Sequence, residues 1–478
     1  MTYKEPSARF YSLAHNRTQS SIYSFLRDGT VFAYLIFAFT ANIDLIYISG
    51  HMLTAESASK EGSLFSQITI SVLLGISTLL QFANKTSLRQ VIITGAPLVL
   101  VLIWILLSVT WSEFEMVSLR RAIRLLMETA TILMLAATYR DLYKLLRVIY
   151  FSFAFILLAD VVFLSMPDRS FSPIGYAGVH YSKQTTGSFC LLALPVFLLA
   201  VFDRNIFPIR TISFVFFLGS LAFLAISLSK SAQGLAPICI ILTILVIFSR
   251  RVNPIILVLI YVSIAVITAA IIGLVGLDNA LLNVIGDTTF TGRTGIWDYA
   301  LSLFWQSPII GRGYGGIWNV GSYSILLLPD LSESTFVLDS SHSGYIDVMA
   351  ALGSVGLLFT IFFIISTFVR LGRQIPIANF RQTNFIAIYT FIAFFLDNFL
   401  ESSLFRTGSG FWIYFLLVTY ASFFSFQSDR IKRRGGRGIH EDWRHAVVVP
   451  AGQHINWARK RRLSTRACFA ATKPGPKD

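Results

Sequence analysis

The amino-acid sequence predicts an all-α, polytopic integral membrane protein with about 12 transmembrane helices. Its 478 residues are 55% hydrophobic and only 13% charged, and the mean hydropathy is +0.67. Soluble domains carry about 25% charged residues, so this chain has too little polar surface to cover itself in water. Apolar runs of about 20 residues, the length of a membrane-spanning helix, recur along the sequence. These observations exclude a soluble enzyme, a disordered chain and a small disulfide-stabilised domain.

The runs of spanning length are bounded by charged or turn-forming residues, as helix ends are. They cover approximately residues 31–49, 64–82, 91–111, 120–138, 142–166, 186–202, 210–228, 232–249, 253–276, 345–369, 383–400 and 408–426. The fourth run is unusual, because Arg120, Arg121 and Arg124 occupy its first turns. The sixth run is short for a membrane span.

The basic residues predict the orientation of these helices. Most of the 39 Lys and Arg residues fall in alternate connecting segments, and such segments stay in the cytoplasm. The sequence therefore predicts that the N-terminus and the C-terminus are both cytoplasmic. The expected organisation is a cytoplasmic N-terminus (1–30), helices 1–9 (31–276), a long periplasmic segment with an interfacial helix (277–344), helices 10–12 (345–426) and a basic, disordered cytoplasmic tail (427–478).

A smaller set of basic residues lies on the predicted outer side, where positive charge opposes the insertion rule. These residues are Lys60, Arg120, Arg121, Arg124, Arg169, Lys183, Lys230, Arg293, Arg312 and Arg406. If the bundle gathers them, they form a positive cavity suited to a lipid-linked phosphate or pyrophosphate. The alternative is that each one extends to water or pairs with a carboxylate such as Glu113, Glu115, Asp168 or Asp298.

The long outer segment contains several motifs in close order. Residues 292–295 predict a turn with Arg293 at its apex, and residues 296–305 predict a short interfacial helix that ends at Pro308. The glycines of 311–316 match G-x-G-x-x-G, but no strand precedes them, so a dinucleotide site is not expected. We expect these glycines to let the backbone fold tightly over a ligand or the membrane edge.

His342 is the candidate base, just before the tenth span. Ser340 or Ser341 is a suitable N-cap, which places His342 in or beside the first helical turn. A neutral imidazole there could accept a proton; the alternative is an interfacial histidine bonded to the loop backbone. Asp44 is a candidate base in place of His342. Other carboxylates at the outer edge could orient sugar hydroxyls or pair with the arginines: Asp160, Asp397 and Glu401.

The order of these motifs resembles the O-antigen ligase and Wzy-type polysaccharide polymerase family. The signature consists of Gly292-Arg293-x-x-x-Trp297, Ser307-Pro308-x-x-Gly311-x-Gly313, Ser341-His342-x-x-Tyr345 and Gly353-x-x-Gly356. Three upstream elements are also similar to the family. Trp111-Ser112 with Leu119-Arg120-Arg121-Ala122 resembles its third outer loop, and residues 178–187 resemble its Lys-Asn-x-x-Gly element, with Gln184 in place of Asn. Ser229-Lys230-Ser231 matches the position where many members carry Ser-Arg or Ser-Lys. The resemblance covers roughly residues 100–425.

The resemblance implies a GT-C-like membrane glycosyltransferase that works by metal-independent, inverting transfer and needs no cofactor. It implies polymerisation of undecaprenyl-pyrophosphate-linked repeat units into exopolysaccharide, on the periplasmic face of the bacterial inner membrane. The pattern is most similar to the succinoglycan-type branch. A chain-length regulator and a flippase are the implied protein partners, and no nucleic acid is expected.

The resemblance also implies roles for individual residues. Arg293 and Lys230 would bind the donor pyrophosphate, and His342 would orient or deprotonate the acceptor hydroxyl. The further candidates for binding pyrophosphate or sugar are Arg120, Arg121, Arg124, Lys183, Arg312, Tyr345 and Asp44. The sequence leaves two other functions open: an O-antigen ligase with a lipid A–core acceptor, and a flippase or transporter of lipid-linked oligosaccharide. A transporter typically has two related halves and a polar path through the bundle.

Overall fold

The computed structural model describes residues 7–40, 64–84, 86–172, 175–180, 182–248, 291–318, 320, 339–375 and 381–445. The helices are α1 (Ser7–Thr40), α2 (Leu64–Ala83), α3 (Leu88–Thr94), α4 (Ala96–Ser108), α5 (Glu115–Thr138), α6 (Leu142–Phe163), α7 (Pro167–Ser170), α8 (Lys183–Phe202), α9 (Arg210–Ser227), α10 (Lys230–Phe248), α11 (Thr291–Gln306), α12 (Gly344–Gly372), α13 (Arg381–Asp397) and α14 (Gly410–His445). A 3₁₀ turn, Val109–Trp111, follows α4, and the strands β1 (Phe171–Ser172) and β2 (Gly175–Tyr176) form a small antiparallel hairpin. The predicted all-α class is confirmed.

Within these ranges, eight helices are long and apolar enough to cross a membrane, or nine if the bent pair α3 and α4 forms one span. The protein is therefore a multi-pass membrane protein. The expected spans at 120–138 and 383–400 coincide with α5 and α13, but α5 carries several charges and α13 is short. The expected span at 253–276 lies outside the described residues.

The expected third span is broken rather than straight. Helices α3 and α4 meet at Gly95 with a bend of 84°. Pro97 stands in the first turn of α4, where its missing N–H removes no helical hydrogen bond, so a new helix starts there easily. The result is a re-entrant or sharply kinked element in place of the expected span.

The centre of the bundle is the first half of α14. Its side chains Trp412, Tyr414, Phe415 and Tyr420 are each at most 1% exposed. Helix α2 lies at the periphery, because its Phe82 is 83% exposed, as expected for a residue that faces lipid. The chain divides into two compact units, Met1–Phe426 and Gln427–Asp478.

A break at Gly353 in α12 fixes the loop after α11. Gly353 has φ +67°, and a Cβ atom there would lie 2.3 Å from the Ile309 carbonyl oxygen. The backbone of 308–313 fits against this break: Ser354 donates to the Pro308 carbonyl (2.8 Å), and Gly313 donates to the Ala351 carbonyl (2.9 Å). The glycine-rich loop, residues 311–316, is therefore packed closely against α12.

Two local predictions were wrong. Residues 292–295 form the first turn of α11 and not a separate turn, so Arg293 projects from a helix. Helix α1 begins at Ser7, well before the expected start at residue 31. The expected end of α11 before Pro308 is confirmed. Two residues, Leu228 and Ser229, connect α9 to α10, and Leu228 lies in the left-handed region (φ +54°).

Candidate active site

Glu401 contacts both Arg293 and His342, two of the residues predicted to act in catalysis. One of its carboxylate oxygens, Oε1, lies 3.1 Å from an Arg293 guanidinium nitrogen, and the other, Oε2, lies 3.3 Å from Nδ1 of His342. Arg293 also donates to the carbonyl oxygen of Leu400. The Glu401 side chain is only 13% exposed, whereas that of His342 is 32% exposed. The N-terminal ends of α11 and α12 and the segment after the C-terminal end of α13 thus meet at one carboxylate.

The loop that carries His342 is held by its neighbours on both sides. Trp297 of α11 donates its indole N–H to the Ser341 carbonyl (2.8 Å), and the Ser341 amide donates to Oδ1 of Asp347 (3.0 Å). His342 itself has φ +55°, in the left-handed region that few L residues adopt. Helix α12 begins at Gly344 with Ser343 as its N-cap, so the expected cap at Ser340 or Ser341 was wrong.

This arrangement suits a base that accepts a proton on Nε2. A carboxylate oxygen accepts hydrogen bonds, so the Glu401 contact places the imidazole proton on Nδ1. The lone pair of Nε2 is then available to a substrate hydroxyl. Arg293 donates through two nitrogens, to the Leu400 carbonyl and to Glu401, so Glu401 holds the positive charge of the guanidinium near His342. A base and a cation with a shared, fixed partner can serve one reaction centre.

A cavity of about 280 Å³ opens beside this pair. Its wall includes Ser340, two residues before His342, and Ser402, one residue after Glu401. The remaining lining residues are Arg121, Tyr314, Gly315, Ile317, Trp318, Asp339, Asp347, Val348, Ala351, Leu352, Leu404, Phe405, Arg406 and Thr407. The cavity and the His342–Glu401 pair therefore share two chain segments.

Arg121 and Tyr314 attach the glycine-rich loop to the bundle. The Arg121 guanidinium donates to the Gly315 carbonyl and, at 2.8 Å, to the Trp318 carbonyl. The Tyr314 hydroxyl donates to the Phe405 carbonyl (2.6 Å). Burial and then the nearby Glu128 carboxylate raise the pKa of the Tyr314 phenol, so it remains a donor. Of the predicted substrate-binding arginines, Arg121 lines the cavity.

The other arginines of the fourth predicted span point elsewhere. Arg124 bonds to Glu128 (3.0 Å) and to the Ser66 hydroxyl (2.9 Å), and Glu128 accepts from the Gly408 amide (2.9 Å). Arg120 is a solvent-exposed residue of α5. Neither lines the cavity. Arg124 pairs with Glu128 and Arg406 with Asp339, neither of which was predicted as a partner, whereas Arg293 pairs with Glu401, one of the carboxylates predicted as a possible partner.

Lys183 and Lys230 begin two adjacent helices, α8 and α10. The connection between α9 and α10 packs against α8, because a Cβ atom at Gly187 would lie 2.5 Å from that of Ser229. Lys230 is exposed and Lys183 is half-buried. Both lysines thus stand at the first position of their helices, close in sequence to the Gly187–Ser229 contact.

The remaining predicted site residues have structural contacts or lie outside the described residues. The Tyr345 hydroxyl donates to the Phe395 carbonyl (2.9 Å), which fixes α12 to α13. Arg312 is half-buried, and its backbone amide donates to the Ala350 carbonyl (3.0 Å). Asp44 and Lys60 lie outside the described residues, as does the side chain of Arg169. Within the described ranges, no three His, Cys, Asp or Glu side chains are grouped to hold a metal ion.

Sequence reasoning missed Asp347 and Glu128. Each is a carboxylate within a predicted span, and Asp347 is the only acidic residue of α12. A charged side chain in a membrane span is costly and commonly functional, so this signal was available in the sequence. What could not be read was the partner of each carboxylate, because Ser341 and Gly408 approach them only in the folded chain.

The fold and site together define a multi-pass, all-α membrane protein with a histidine, a carboxylate and several arginines at one end of its bundle. Residues 214–361 match the family model described as O-Antigen ligase, so the chain carries a domain of the O-antigen ligase/Wzy family. The match includes Lys230, Arg293 and His342 and confirms the resemblance seen in the motifs. It supports a membrane glycan polymerase or ligase. No match was found among curated proteins.

Proposed function

We propose that this protein polymerises undecaprenyl-pyrophosphate-linked oligosaccharide repeat units into an exopolysaccharide, on the periplasmic face of the bacterial inner membrane. The observation that carries the proposal is the carboxylate of Glu401, which holds Arg293 and His342 together beside a cavity. A cation and a base so arranged match the two demands of glycosyl transfer from a pyrophosphate. The O-antigen ligase family match favours the same class of reaction.

In the proposed reaction, a hydroxyl oxygen of the acceptor sugar attacks the anomeric carbon of the donor. The bond from that carbon to the pyrophosphate oxygen breaks, and its electron pair leaves with undecaprenyl pyrophosphate. The hydroxyl proton passes to Nε2 of His342 as the new bond forms. Attack from the opposite face inverts the anomeric configuration.

The leaving group needs positive charge more than it needs a proton. Arg293 stabilises the negative charge that develops on the departing pyrophosphate, and a preorganised cation is effective where water is excluded. Lys230 would add a point charge without the bidentate geometry of arginine. Two lipid-anchored substrates held in one membrane plane also react more readily, because their relative motion is already restricted.

Reconstitution of the purified protein tests the proposal. The proteoliposomes receive one lipid-linked repeat unit and a metal chelator, and no nucleotide is added. A ladder of longer glycans is the expected result. Transfer to added lipid A–core without a ladder would instead assign the ligase activity. Transbilayer movement of the unmodified lipid without elongation would assign a flippase and refute the proposal. His342→Ala protein is the matched negative control.

A further inference from the structure

We propose that the cavity between Trp318, Asp347 and Arg406 is a binding site for a single neutral sugar ring of the glycan. This inference rests on the proposed function for its identification of a glycan, but its geometry is independent of the reaction. The cavity volume of about 280 Å³ is just below the usual range of ligand pockets, which are roughly 300–1,000 Å³. This space suits one pyranose ring better than a whole oligosaccharide.

The charges in the wall favour a neutral ligand over a phosphate. The charged lining residues are two arginines, Arg121 and Arg406, and two aspartates, Asp339 and Asp347. Arg406 is paired with Asp339, and Arg121 donates to backbone carbonyls of the glycine-rich loop. The described wall therefore carries no net charge, whereas a pyrophosphate site needs a surplus of cations.

The chemical character of the wall matches a sugar. Trp318 and Tyr314 supply aromatic surface, and Ile317 and Leu352 supply aliphatic surface, against which the apolar face of a pyranose can pack. Carboxylates accept hydrogen bonds from sugar hydroxyls, and guanidinium groups donate to them. The wall presents both kinds of group, so it can bind hydroxyls in either role.

The cavity lies close to His342 and Glu401, so a sugar bound there could take part in the proposed reaction. Ser340 and Ser402 line it, and His342 and Glu401 lie within two residues of them. Asp347 connects the two regions, because its Oδ1 accepts from the Trp318 indole (2.9 Å) and from the Ser341 amide (3.0 Å). A sugar held by this wall lies next to the base, so the cavity positions the ring nearest to the new glycosidic bond.

Ligand-observed saturation-transfer NMR tests this site directly. The full-length protein is placed in nanodiscs prepared without glycoside detergents, and methyl β-D-glucopyranoside and methyl β-D-galactopyranoside serve as probes. The test variant is Val348→Phe, since Val348 lines the cavity and a phenyl ring there reduces its volume. The matched control is Ile361→Phe, a substitution at a 41% exposed position of the same helix. Thr407→Phe is a second cavity-filling variant, in a loop, in case Val348→Phe does not fold.

The expected result is saturation transfer to at least one glycoside in wild-type and Ile361→Phe protein, and loss of that signal in the cavity-filling variant. Inorganic pyrophosphate should not displace the glycoside. The inference is overturned if neither glycoside gives a signal, if filling the cavity leaves the signal unchanged, or if pyrophosphate displaces the sugar. Glycoside binding without glycan elongation in the reconstitution assay would refute the polymerase proposal while leaving the sugar site intact.

Discussion

His180 and Asp160 form a buried pair in which Nε2 of the imidazole lies 3.2 Å from Oδ2 of the carboxyl group. Nδ1 of the same ring lies 2.9 Å from the Phe39 carbonyl oxygen. Because a carbonyl oxygen only accepts hydrogen bonds, Nδ1 of His180 carries a proton. The hydrogen bond between Nε2 and Oδ2 requires a second proton, carried either by Nε2 or by the carboxyl group. The pair ties the ends of α1 and α6 to the segment from which α8 starts. Sequence reasoning considered Asp160 but overlooked His180.

Substitution of Asp160 should reveal how much this network stabilises the folded protein. Oδ1 of Asp160 also accepts from the Tyr176 hydroxyl (3.2 Å) and from the Val179 amide (3.1 Å). Asp160→Ala leaves the Val179 amide and the His180 ring without this partner, at about 1–3 kcal/mol for each unsatisfied group, whereas the Tyr176 hydroxyl keeps the backbone carbonyl of residue 160 as an acceptor. Asp160→Asn keeps Oδ1, and its amide can donate to a neutral His180. Thermal unfolding in nanodiscs should therefore rank wild type and Asp160→Asn well above Asp160→Ala; equal stability of the two variants would contradict this account.

His342→Ala should lower the rate of polymerisation by about 10²–10⁴-fold, the usual contribution of a general base, and leave membrane insertion intact. Glu401→Gln should give a smaller loss, because the amide oxygen can still accept from the imidazole but no longer attracts Arg293 electrostatically. Glu115→Gln, at an exposed position of α5, is the matched control and should be active. The measurement is the rate of glycan-ladder formation by each of the three variants. Normal polymer from the His342→Ala variant would show that His342 takes no part in the mechanism.

Arg293→Lys should weaken the use of the lipid-linked donor. The guanidinium contacts Leu400 and Glu401 with two separate nitrogens, a forked geometry that the single nitrogen of a lysine ammonium cannot reproduce. We expect a higher KM for the donor together with a lower kcat. Arg204→Lys, at an exposed position between α8 and α9, makes the same chemical change and should behave as wild type. Near-normal kinetics in both variants would argue against bidentate phosphate binding.

Substitutions of the adjacent residues Arg121 and Arg120 should differ sharply in their effects on stability and activity. Arg121 donates to the Gly315 and Trp318 carbonyls and lines the cavity, so Arg121→Ala should release the glycine-rich loop and lower both stability and activity. Arg120 is exposed on α5, and Arg120→Ala should change stability by less than about 0.5 kcal/mol. Unfolding temperature and polymerisation rate are the measurements. Equal effects of the two substitutions would show that the guanidinium–loop contacts are unimportant.

The predicted orientation can be tested by cysteine labelling. Cys190 and Cys239 are buried, so they should resist a membrane-impermeant maleimide. With Cys468 replaced by alanine, Trp305→Cys should be labelled in sealed, right-side-out vesicles, because Trp305 is 72% exposed on the predicted outer side. Lys144→Cys, exposed in α6 near the predicted cytoplasmic surface, should be labelled only after the membrane is opened. The reverse pattern would invert the topology.

Much of the fold could be predicted because membrane spans are local features. The apolar runs at 142–166 and 210–228 match α6 and α9 within a few residues, since a span needs only length and hydrophobicity. The bend at Gly95 was not predicted, because a glycine and a nearby proline are also compatible with a continuous apolar run. Arg293 and His342 could be singled out by their motifs, but Glu401 was one of several possible carboxylates.

The sequence by itself determined the class of protein, its succession of apolar helices and the residue types available for chemistry, because hydrophobicity and motif spacing act along the chain. Only the tertiary structure decided which charges meet. Arg121 reaches the loop of Gly315 and Arg124 reaches Glu128, although both arginines lie on one helix, three residues apart. Glu401 joins Arg293 to His342 across about 60 to 110 residues of chain. Such pairings depend on helix packing and on loop conformations such as the one at Gly353, where a close approach of two backbones leaves no room for a side chain.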